Sequence, residues 1–472
     1  MKFSVIVLYC VIITCVCACA SSSRQLTQPP PMITPEAWSA SYPHVSGTIE
    51  NWWEGFGDDR LNELVLHSLK RNYNVKAALA RIDAANSQAR IIGADLAPVM
   101  DGSFSASRQK QNVSGVSFPS DPSNSFGASL NLSWEIDLWG RLRSARSAAI
   151  ADIEVSHAEL SGVKLSLAAQ TVKAWFACIE ATGQLDLSHA HVDNFKKSRD
   201  QIRMRYERGL ASSLDVRLAE ANVSAAEACF YIRQDQLHLL IRRLEILVGR
   251  YPSGELKVGD RLPTIMNSVP AGIPAEIVSR RPDLVAAEHR LAAAGLRIKQ
   301  SEASLYPRIA LTASGGRSSD ELEELLDGDF SVFRLAGNLV QPLFQGGKLR
   351  AGVALARARV KEARALFAQS LLNAYAEVES TLNTEIILAR REKVQSLAVE
   401  QALAARDLAQ EQYTAGLVDY LTLLEAQRSA YEAQSQLLSL KRQRIDARID
   451  LYLALGGGFM NATHTKKEEE RD

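Results

Sequence analysis

Histidines are the side chains in this sequence that would most readily bind a metal ion or transfer a proton near neutral pH. His189 and His191 are two residues apart, so on a helix they point to different faces and make a poor metal-binding pair. His157, His238 and His289 are isolated along the chain. No catalytic constellation is evident. The sequence therefore predicts a protein that is not an enzyme and has no metal or organic cofactor.

Three acidic residues could do a different kind of chemistry. Asp215, Asp419 and Glu425 lie close to two similar segments, 206–216 and 413–423. If several chains surrounded one axis, each carboxylate would be repeated into a ring of like charges. Such a ring raises carboxylate pKa values and attracts cations, so it could form a constriction or a selectivity filter. The alternative is an ordinary solvated helix face, and both interpretations stay open.

The two segments contain the same kind of turn, repeated after 207 residues. In each, a glycine (Gly209 or Gly416) interrupts a long helix-forming stretch. Glycine suits a close reversal of the chain because it tolerates a left-handed backbone. Each segment is therefore predicted to be the turn of a long helical hairpin.

Proline usage indicates how long those hairpins are. All 15 prolines fall at or before Pro342, and none lies between Pro122 and Pro252. A proline in a helix interior costs about 3 kcal/mol, so these stretches permit very long helices. The predicted helices are 140–208 with a return helix 213–248, and 347–415 with a return helix 419–455.

Each return helix has an apolar seam with residues spaced three and four apart. In the first, the seam runs from Val216 to Leu247 with Arg233 as its exception. In the second, it runs from Leu423 to Leu451 with Arg444 as its exception. The second return helix also has a second apolar edge, whose residues are seven positions apart: Leu417, Leu424, Tyr431, Leu438, Ile445 and Tyr452. A helix with two seams requires a neighbour on each side.

Strict alternation of apolar and polar residues predicts β-strands. The strongest case is 125–138, where alternation lasts fourteen residues. A soluble two-sheet protein could show this pattern, but the length favours membrane strands with an apolar outer and a polar inner face. Strands are predicted near 99–110, 124–138, 307–316 and 332–342. Four strands cannot close a barrel, for which about eight are the minimum, and open edges are not viable in a bilayer. Several chains must therefore pool their strands.

The chain is internally duplicated. Residues 60–249 and 276–458 each read as helix, two strands, very long helix, turn and return helix. The segment 250–275 is a proline-containing connection, and 459–472 is predicted to be a disordered tail. The formal net charge is zero, which gives no reason to expect nucleic acid as a partner.

The N-terminus reads as an export signal. Lys2 and the apolar stretch that follows resemble a signal peptide, predicted as residues 1–18. Val16-Cys17-Ala18-Cys19 resembles a lipobox in which Cys19 would be lipidated, and residues 19–59 would then be a lipidated extended segment. An ordinary cleaved signal, an uncleaved membrane anchor and a weaker lipobox ending at Cys15 remain alternatives.

Taken together, these motifs resemble the TolC-like outer membrane factors, and most closely their lipoprotein efflux branch, the OprM and NodT group. The resemblance rests on the two Gly-Leu turns, Trp52-Trp53-x-x-Phe56, the helix starts 140–143 and 347–350, and the glycines at 456–458. It implies a mainly α protein with a small β part. It also implies an outer-membrane homotrimer, with a twelve-stranded barrel continued by a helical tunnel. A periplasmic adaptor and an inner-membrane transporter, expected to be of the RND type, would be its partners.

The resemblance also implies roles for residues near the turns. The adaptor-docking tips would be Arg208, Gly209, Leu210, Gly416 and Leu417, although these leucines could instead pack the hairpin ends. The pore constriction would contain Asp215, Glu425, Asp419, Tyr206 and Tyr413. Thr422 stands where some relatives have aspartate, which puts a second acidic ring in doubt.

Three functions compete at this stage. The first is a passive exit duct for drugs or other small molecules in a tripartite efflux pump, and the second is a duct for type I protein or peptide secretion. The third is a lipid-anchored periplasmic coiled-coil scaffold without a pore. The alternation in 125–138 argues against the scaffold, and the lipobox favours the efflux duct.

Overall fold

The structure is a computed structural model that describes residues 35, 37–39, 51–110, 122–265, 269, 271, 274, 277–326 and 331–457. The predicted signal peptide, Cys19 and the predicted tail lie outside these residues. The chain folds into two compact units. Of the described residues, those within 80–157 and 286–369 form the strand unit, and those within 35–79, 158–285 and 370–457 form the hairpin unit.

The strand unit contains one antiparallel sheet with the order β1-β2-β3-β4. Its strands are β1 (Val99–Gln109), β2 (Ser123–Ile136), β3 (Arg308–Ser319) and β4 (Ser331–Val340). All four were predicted, and β3 continues three residues beyond the predicted end at 316. Each pair of strands from one repeat thus lies beside the pair from the other.

The four long helices match residue for residue between the two repeats. Those of the first repeat are α1 (Asp59–Arg71), α2 (Tyr73–Ala94), α3 (Arg141–Glu207) and α4 (Ser213–Leu247). Those of the second are α5 (Ile277–Arg280), α6 (Pro282–Ala303), α7 (Lys348–Thr414) and α8 (Tyr420–Ala454). Helices α3 and α7 both have 67 residues, and α4 and α8 both have 35. A constant offset of 207 therefore matches positions in the two hairpins.

The first helix of the repeat differs from its prediction. A single helical run from residue 60 to before Pro98 was expected, but the chain leaves the helix at Asn72, where ψ is 135°. The Asn72 side chain makes this break favourable. Its oxygen accepts a hydrogen bond from the Asn74 backbone at 2.8 Å, and its nitrogen donates to the carbonyl of Leu247 at 2.9 Å. The same residue thus starts α2 and ties it to the end of α4.

The two compact units do not coincide with the two sequence repeats, because each unit takes segments from both. In the hairpin unit, the predicted seams form the core: Ala219, Val223 and Leu423 are buried together with Ile202 and Tyr413. The seam exceptions are paired. Arg444 donates to Glu392 at 2.8 Å, and Arg233 donates to Gln236 at 3.1 Å.

Candidate functional site

The register of the strand unit sorts the side chains of all four strands onto two chemically different faces. Directly paired residues share a face of the sheet. One face is apolar over most of its length and carries Met100, Gly102, Phe104, Ala106, Phe126, Ala128, Leu130, Leu132, Trp134, Ile136, Ile309, Leu311, Ala313, Gly315, Phe333, Leu335, Gly337 and Leu339. Toward one end of the strands the same face carries Arg108, Asn124, Arg317, Ser319 and Ser331. The opposite face is mainly polar. Its members include Asp101, Ser103, Ser105, Ser125, Ser129, Asn131, Glu135, Arg308, Thr312, Ser314, Arg334 and Asn338.

The apolar face of this sheet lies open to its surroundings. Phe333 is 91% exposed, Leu335 80%, and Phe104 65%. The polar face has its own hydrogen bonds, including one of 2.9 Å between the hydroxyls of Ser103 and Ser129. Such a division suits a sheet with hydrocarbon on one side and water on the other.

Both edges of the sheet are also unpaired. Among the strands that the structure describes, β1 and β4 each have a single neighbour. An edge of ten or eleven residues exposes a row of backbone donors and acceptors that a bilayer cannot satisfy. The sheet therefore requires strands from elsewhere before its apolar face can be placed in lipid.

Within the described ranges, no helix has the length and hydrophobicity needed to cross a membrane.

The hairpin unit contains both predicted turns. Gly209 has a φ of 74° and Gly416 a φ of 75°. The backbone nitrogen of Leu210 donates to the carbonyl of Arg205 at 2.8 Å, and that of Leu417 donates to Gln412 at 2.9 Å. These bonds close the ends of α3 and α7 in the way that favours glycine at the left-handed position.

Each return helix begins with a side chain that caps its N-terminus by hydrogen bonding. At the first turn, Ser212 caps α4 by accepting from the Asp215 backbone at 3.1 Å, and Asp215 accepts from the Ser212 backbone at 3.0 Å. At the second, Asp419 caps α8 and accepts from both the backbone and the hydroxyl of Thr422, at 2.9 and 2.7 Å. Two of the three predicted constriction carboxylates therefore also hold helix ends.

The turns present leucines in pairs. Leu210 is 65% exposed and Leu417 75%, so neither packs against its own hairpin end. Two further leucines that the sequence prediction missed, Leu214 and Leu421, are 64% and 58% exposed. Their spacing, four residues after the predicted leucines on a new helix, was the signal that could have revealed them.

The two tyrosines at matched positions lie in different environments. Tyr206 is 47% exposed, whereas Tyr413 is buried. Tyr413 belongs to the core of the hairpin unit, where the Arg205 guanidinium donates to its carbonyl at 2.8 Å and lies 4.9 Å from the centre of its ring. The residue that matches Arg205 in the second hairpin is Gln412, which carries no charge. Arg205 is thus a tip residue that spacing alone did not reveal.

A second link joins the hairpins beside the first. Asn222 of α4 donates to the Tyr420 hydroxyl at 3.3 Å, and the rings of Tyr413 and Tyr420 are 6.2 Å apart. Burial raises the pKa of both tyrosine hydroxyls, so they stay neutral near pH 7. The second tip is therefore held at two points by the first hairpin.

Charge around the tips is only partly neutralised. Glu425 is exposed and makes no ion pair or hydrogen bond with any residue that the structure describes. The Thr422 hydroxyl and backbone, by donating hydrogen bonds, lower the pKa of the Asp419 carboxyl. No cluster of His, Cys, Asp and Glu among the described residues could hold a metal ion.

Known proteins share both the sequence and the arrangement of this chain. The family model for outer membrane efflux proteins matches residues 64–250 and 273–457. The pyoverdine export outer membrane protein OpmQ of Pseudomonas aeruginosa is 30% identical, covering 94% of this chain and 95% of its own. OprJ of the same species is 31% identical over 90% of each chain.

The agreement extends to a solved structure. The MtrE outer membrane channel of Neisseria gonorrhoeae superposes with a TM-score of 0.81 at 27% identity, covering 91% of this chain and 97% of that one. The fold is that of the TolC-like channels, in which strands contribute to a β-barrel and long helices to a helical barrel. The chain therefore belongs to the outer membrane efflux protein family.

Proposed function

We propose that this protein is the exit duct of a tripartite efflux system. In this role it conducts small molecules passively from an inner-membrane transporter and a periplasmic adaptor to the outside. The observation that carries the proposal is the two-faced sheet with two open edges, joined in one chain to very long helical hairpins. A duct of this kind needs no catalytic residue and no cofactor.

A homotrimer is the assembly that we propose for the duct. Three copies of the four-stranded sheet would supply twelve strands, which exceeds the minimum of about eight for a closed barrel. Closure would pair β4 of one copy with β1 of the next and remove the unsatisfied edges. Chemical cross-linking between cysteines placed at Gln109 and Ser331 would test this pairing, and a monomer-only pattern would contradict it.

The exposed leucines at the tips support docking of an adaptor. Leu210, Leu214, Leu417 and Leu421 form the tip leucines, and they are too exposed to stabilise their own hairpins. Apolar side chains on a rigid turn suit insertion into a groove of another protein. The turns that contain Arg208, Gly209 and Gly416 would hold the tip leucines in position for this insertion. Replacing Leu210 and Leu417 with Asp should abolish co-purification of the adaptor while leaving assembly intact.

Closure of the duct near the tips forms a third part of the proposal. The contact of Arg205 with Tyr413 holds the second tip against the first, and Glu425 provides a free carboxylate that symmetry would repeat. Tyr206 would narrow the same region. Replacing Glu425 with Gln should reduce cation selectivity in planar bilayers, because the repeated negative charge is removed. Unchanged selectivity would exclude Glu425 from the constriction.

Asp215 and Asp419 call for a different test. Since Asp419 caps α8 and Asp215 belongs to the capping box of α4, their replacement by Ala would combine a pore effect with about 1 kcal/mol of lost helix stability. Asn keeps capping capacity and removes the charge. Asp215→Asn and Asp419→Asn are therefore the variants that separate a charged ring from a structural cap.

Lipidation at Cys19 remains a proposal about a residue outside the described ranges. A thiol carrying acyl chains would tie the mature N-terminus to the outer membrane. Metabolic labelling with palmitate should mark the wild-type protein and not Cys19→Ser. Label retained in that variant would favour another cysteine, and absent label in the wild type would favour an ordinary cleaved signal.

The kind of cargo separates efflux from secretion. Relatives carry names for pyoverdine export and for toluene efflux, which describe small molecules in those proteins. We infer that small molecules are also the cargo here, with an RND-type transporter as the partner. Deletion of the gene should lower drug tolerance and leave secreted proteins unchanged; the opposite result would favour type I secretion.

A further inference from the structure

The two junctions between the sheet and the long helices expose apolar side chains in the same arrangement. Between β2 and α3, Leu138 is 57% exposed and Trp139 47%. Between β4 and α7, Leu343 is 93% exposed and Phe344 90%. Each junction therefore presents a leucine followed by an aromatic residue, and we call these four side chains the junction pairs. A soluble loop has no need of this composition.

The junction pairs lie at the end of the sheet from which the long helices depart. The aromatic residues around them keep their polar atoms satisfied while their rings stay partly exposed. Trp134 donates to the carbonyl of Leu96 at 2.9 Å. Trp139 donates to the carbonyl of Pro307 at 2.8 Å and stacks on Tyr306 at 4.9 Å. Aromatic rings with one wet edge are typical of the boundary between hydrocarbon and headgroups.

Two cations follow the second junction in an unusual place. Lys348 and Arg350 occupy the first turn of α7, where the helix dipole disfavours positive charge. Both are exposed, and neither makes an ion pair with a residue in the described part of the chain. At the first junction, by contrast, Arg143 is paired with Asp137 at 3.3 Å. The unpaired cations thus gain nothing from the helix and lie free to contact an anion outside the chain.

We propose that the junction pairs form an interfacial anchor that inserts into a phospholipid leaflet, with Lys348 and Arg350 contacting lipid phosphates. This inference rests on the proposed function, since the apolar face of the sheet must first lie in the outer membrane. Leu343 and Phe344 follow Val340, the last paired residue of β4, by three and four residues. Free cations beside an apolar pair match the chemistry of a phospholipid, which combines acyl chains with an anionic headgroup.

Site-directed nitroxide labelling in reconstituted vesicles tests the anchor. The parent is the full chain with Cys178→Ala and Cys229→Ala, which itself serves as the labelling blank. Leu343→Cys and Phe344→Cys are the test positions. Phe333→Cys, on the apolar face of β4, is the lipid control, and Val332→Cys, on the polar face, is the water control. Collision rates with oxygen, which concentrates in lipid, are compared with those of a water-soluble nickel complex.

The expected result is that labels at 343 and 344 collide with oxygen at least about threefold more than the label at 332 and approach the value at 333. A label at 343 or 344 that behaves like 332 would overturn the anchor. So would a label shielded from both reagents, which would show burial against a second copy of the chain. If the label at 333 itself faces water, the proposed membrane sheet fails, and the two failures are thereby distinguished.

A separate variant tests the proposed contacts of Lys348 and Arg350 with lipid phosphates. With vesicles that contain increasing phosphatidylglycerol, the label at 344 should move deeper in the wild-type background. In Lys348→Gln/Arg350→Gln, this dependence on anionic lipid should disappear, while contact with oxygen persists. The same dependence in both backgrounds would overturn the assignment of Lys348 and Arg350 as phosphate contacts.

Discussion

The two hairpins have the same length but are held together by different chemistry. Positions Glu385 and Arg448 of the second hairpin form a buried ion pair, with side chains 6% and 10% exposed. The matched positions of the first hairpin are Cys178 and Ile241, which are both buried and apolar. Seven residues after Glu385 on α7, the second hairpin again has an ion pair where the first hairpin has two apolar side chains.

That second exchange involves Glu392 and Arg444, whose charged groups meet at 2.8 Å. Their matched positions are Leu185 and Leu237. Apolar side chains can slide along a seam at small cost, whereas a buried ion pair has one favourable register because displacement leaves a charge without its partner. At these two levels, the first hairpin packs through apolar side chains and the second is fixed in register by charge.

The largest effect is expected from breaking the buried pair. Arg448→Ala removes the cation that is paired with the buried Glu385 carboxylate, which should cost about 3–5 kcal/mol and lower the midpoint of thermal unfolding. The double variant Glu385→Leu/Arg448→Ile converts the site to the apolar type found in the first hairpin. It should unfold near the wild-type midpoint or above it. A double variant as unstable as the single one would contradict the comparison.

A pH effect caused by a buried histidine is expected in the first hairpin. Burial, together with the charge of Arg428, lowers the pKa of His191 to about 4 from the ordinary 6.5. Its ring stacks on Tyr431 at 4.2 Å, and the matched position of the second hairpin is Ala398. Between pH 6.5 and 4 the unfolded chain binds a proton that the folded chain excludes, so stability falls as pH falls through this window.

After allowance for its partial exposure, His191 should contribute about 2 kcal/mol to that loss. His191→Phe keeps an aromatic ring and should flatten the dependence on pH in this window. His189→Gln, at an exposed site on the same helix, is the matched control. An identical slope in wild type and His191→Phe would remove His191 as the cause.

The turn glycines should behave alike, because their backbones are alike. Gly209→Ala and Gly416→Ala each force a side chain into the left-handed region at a cost of about 1–2 kcal/mol. Hydrogen exchange should accelerate by a similar factor at the ends of α3 and α7. Unequal acceleration would show that the contacts of Arg205 with Tyr413 also stabilise the second turn.

The smallest effect is expected at the caps. Ser212→Ala and Asp419→Ala should each cost about 1 kcal/mol, measured as faster exchange in the first turn of α4 or α8. At Asp419 the loss should also appear in the wild type under acid. The Thr422 hydrogen bonds hold the pKa of that carboxyl below its usual value, so the cap is present above the ordinary carboxyl pKa. It is lost as pH falls through the lowered value.

Periodicity predicted most of this fold because repeats and faces are properties of a single chain. The strands, the four long helices and the turns at Gly209 and Gly416 follow from alternation, proline placement and glycine. The break at Asn72 was missed because asparagine is only mildly unfavourable in a helix, and its role depends on the distant carbonyl of Leu247. Spacing marks local structure, whereas this contact spans 175 residues.

The tips show the same limit in a functional setting. Leucine and tyrosine positions were visible in the duplicated turns, but their environments were not. Tyr206 and Tyr413 look equivalent in sequence, but Tyr413 is buried in the core of the hairpin unit and contacts Arg205, whereas Tyr206 is half exposed. Likewise, Asp215 and Asp419 were predicted as constriction residues, and the structure adds that Asp419 caps α8 and that Asp215 belongs to the capping box of α4. The environments of these side chains depend on how the two hairpins pack side by side.

Single-channel conductance of Arg205→Ala in planar bilayers tests the central claim most directly: that the duct closes where the first hairpin holds the second tip. Gln412→Ala, at the matched position, is the control. We expect a several-fold higher conductance for Arg205→Ala and a wild-type conductance for Gln412→Ala. Equal conductance of all three proteins, or an equal increase in both variants, would contradict it.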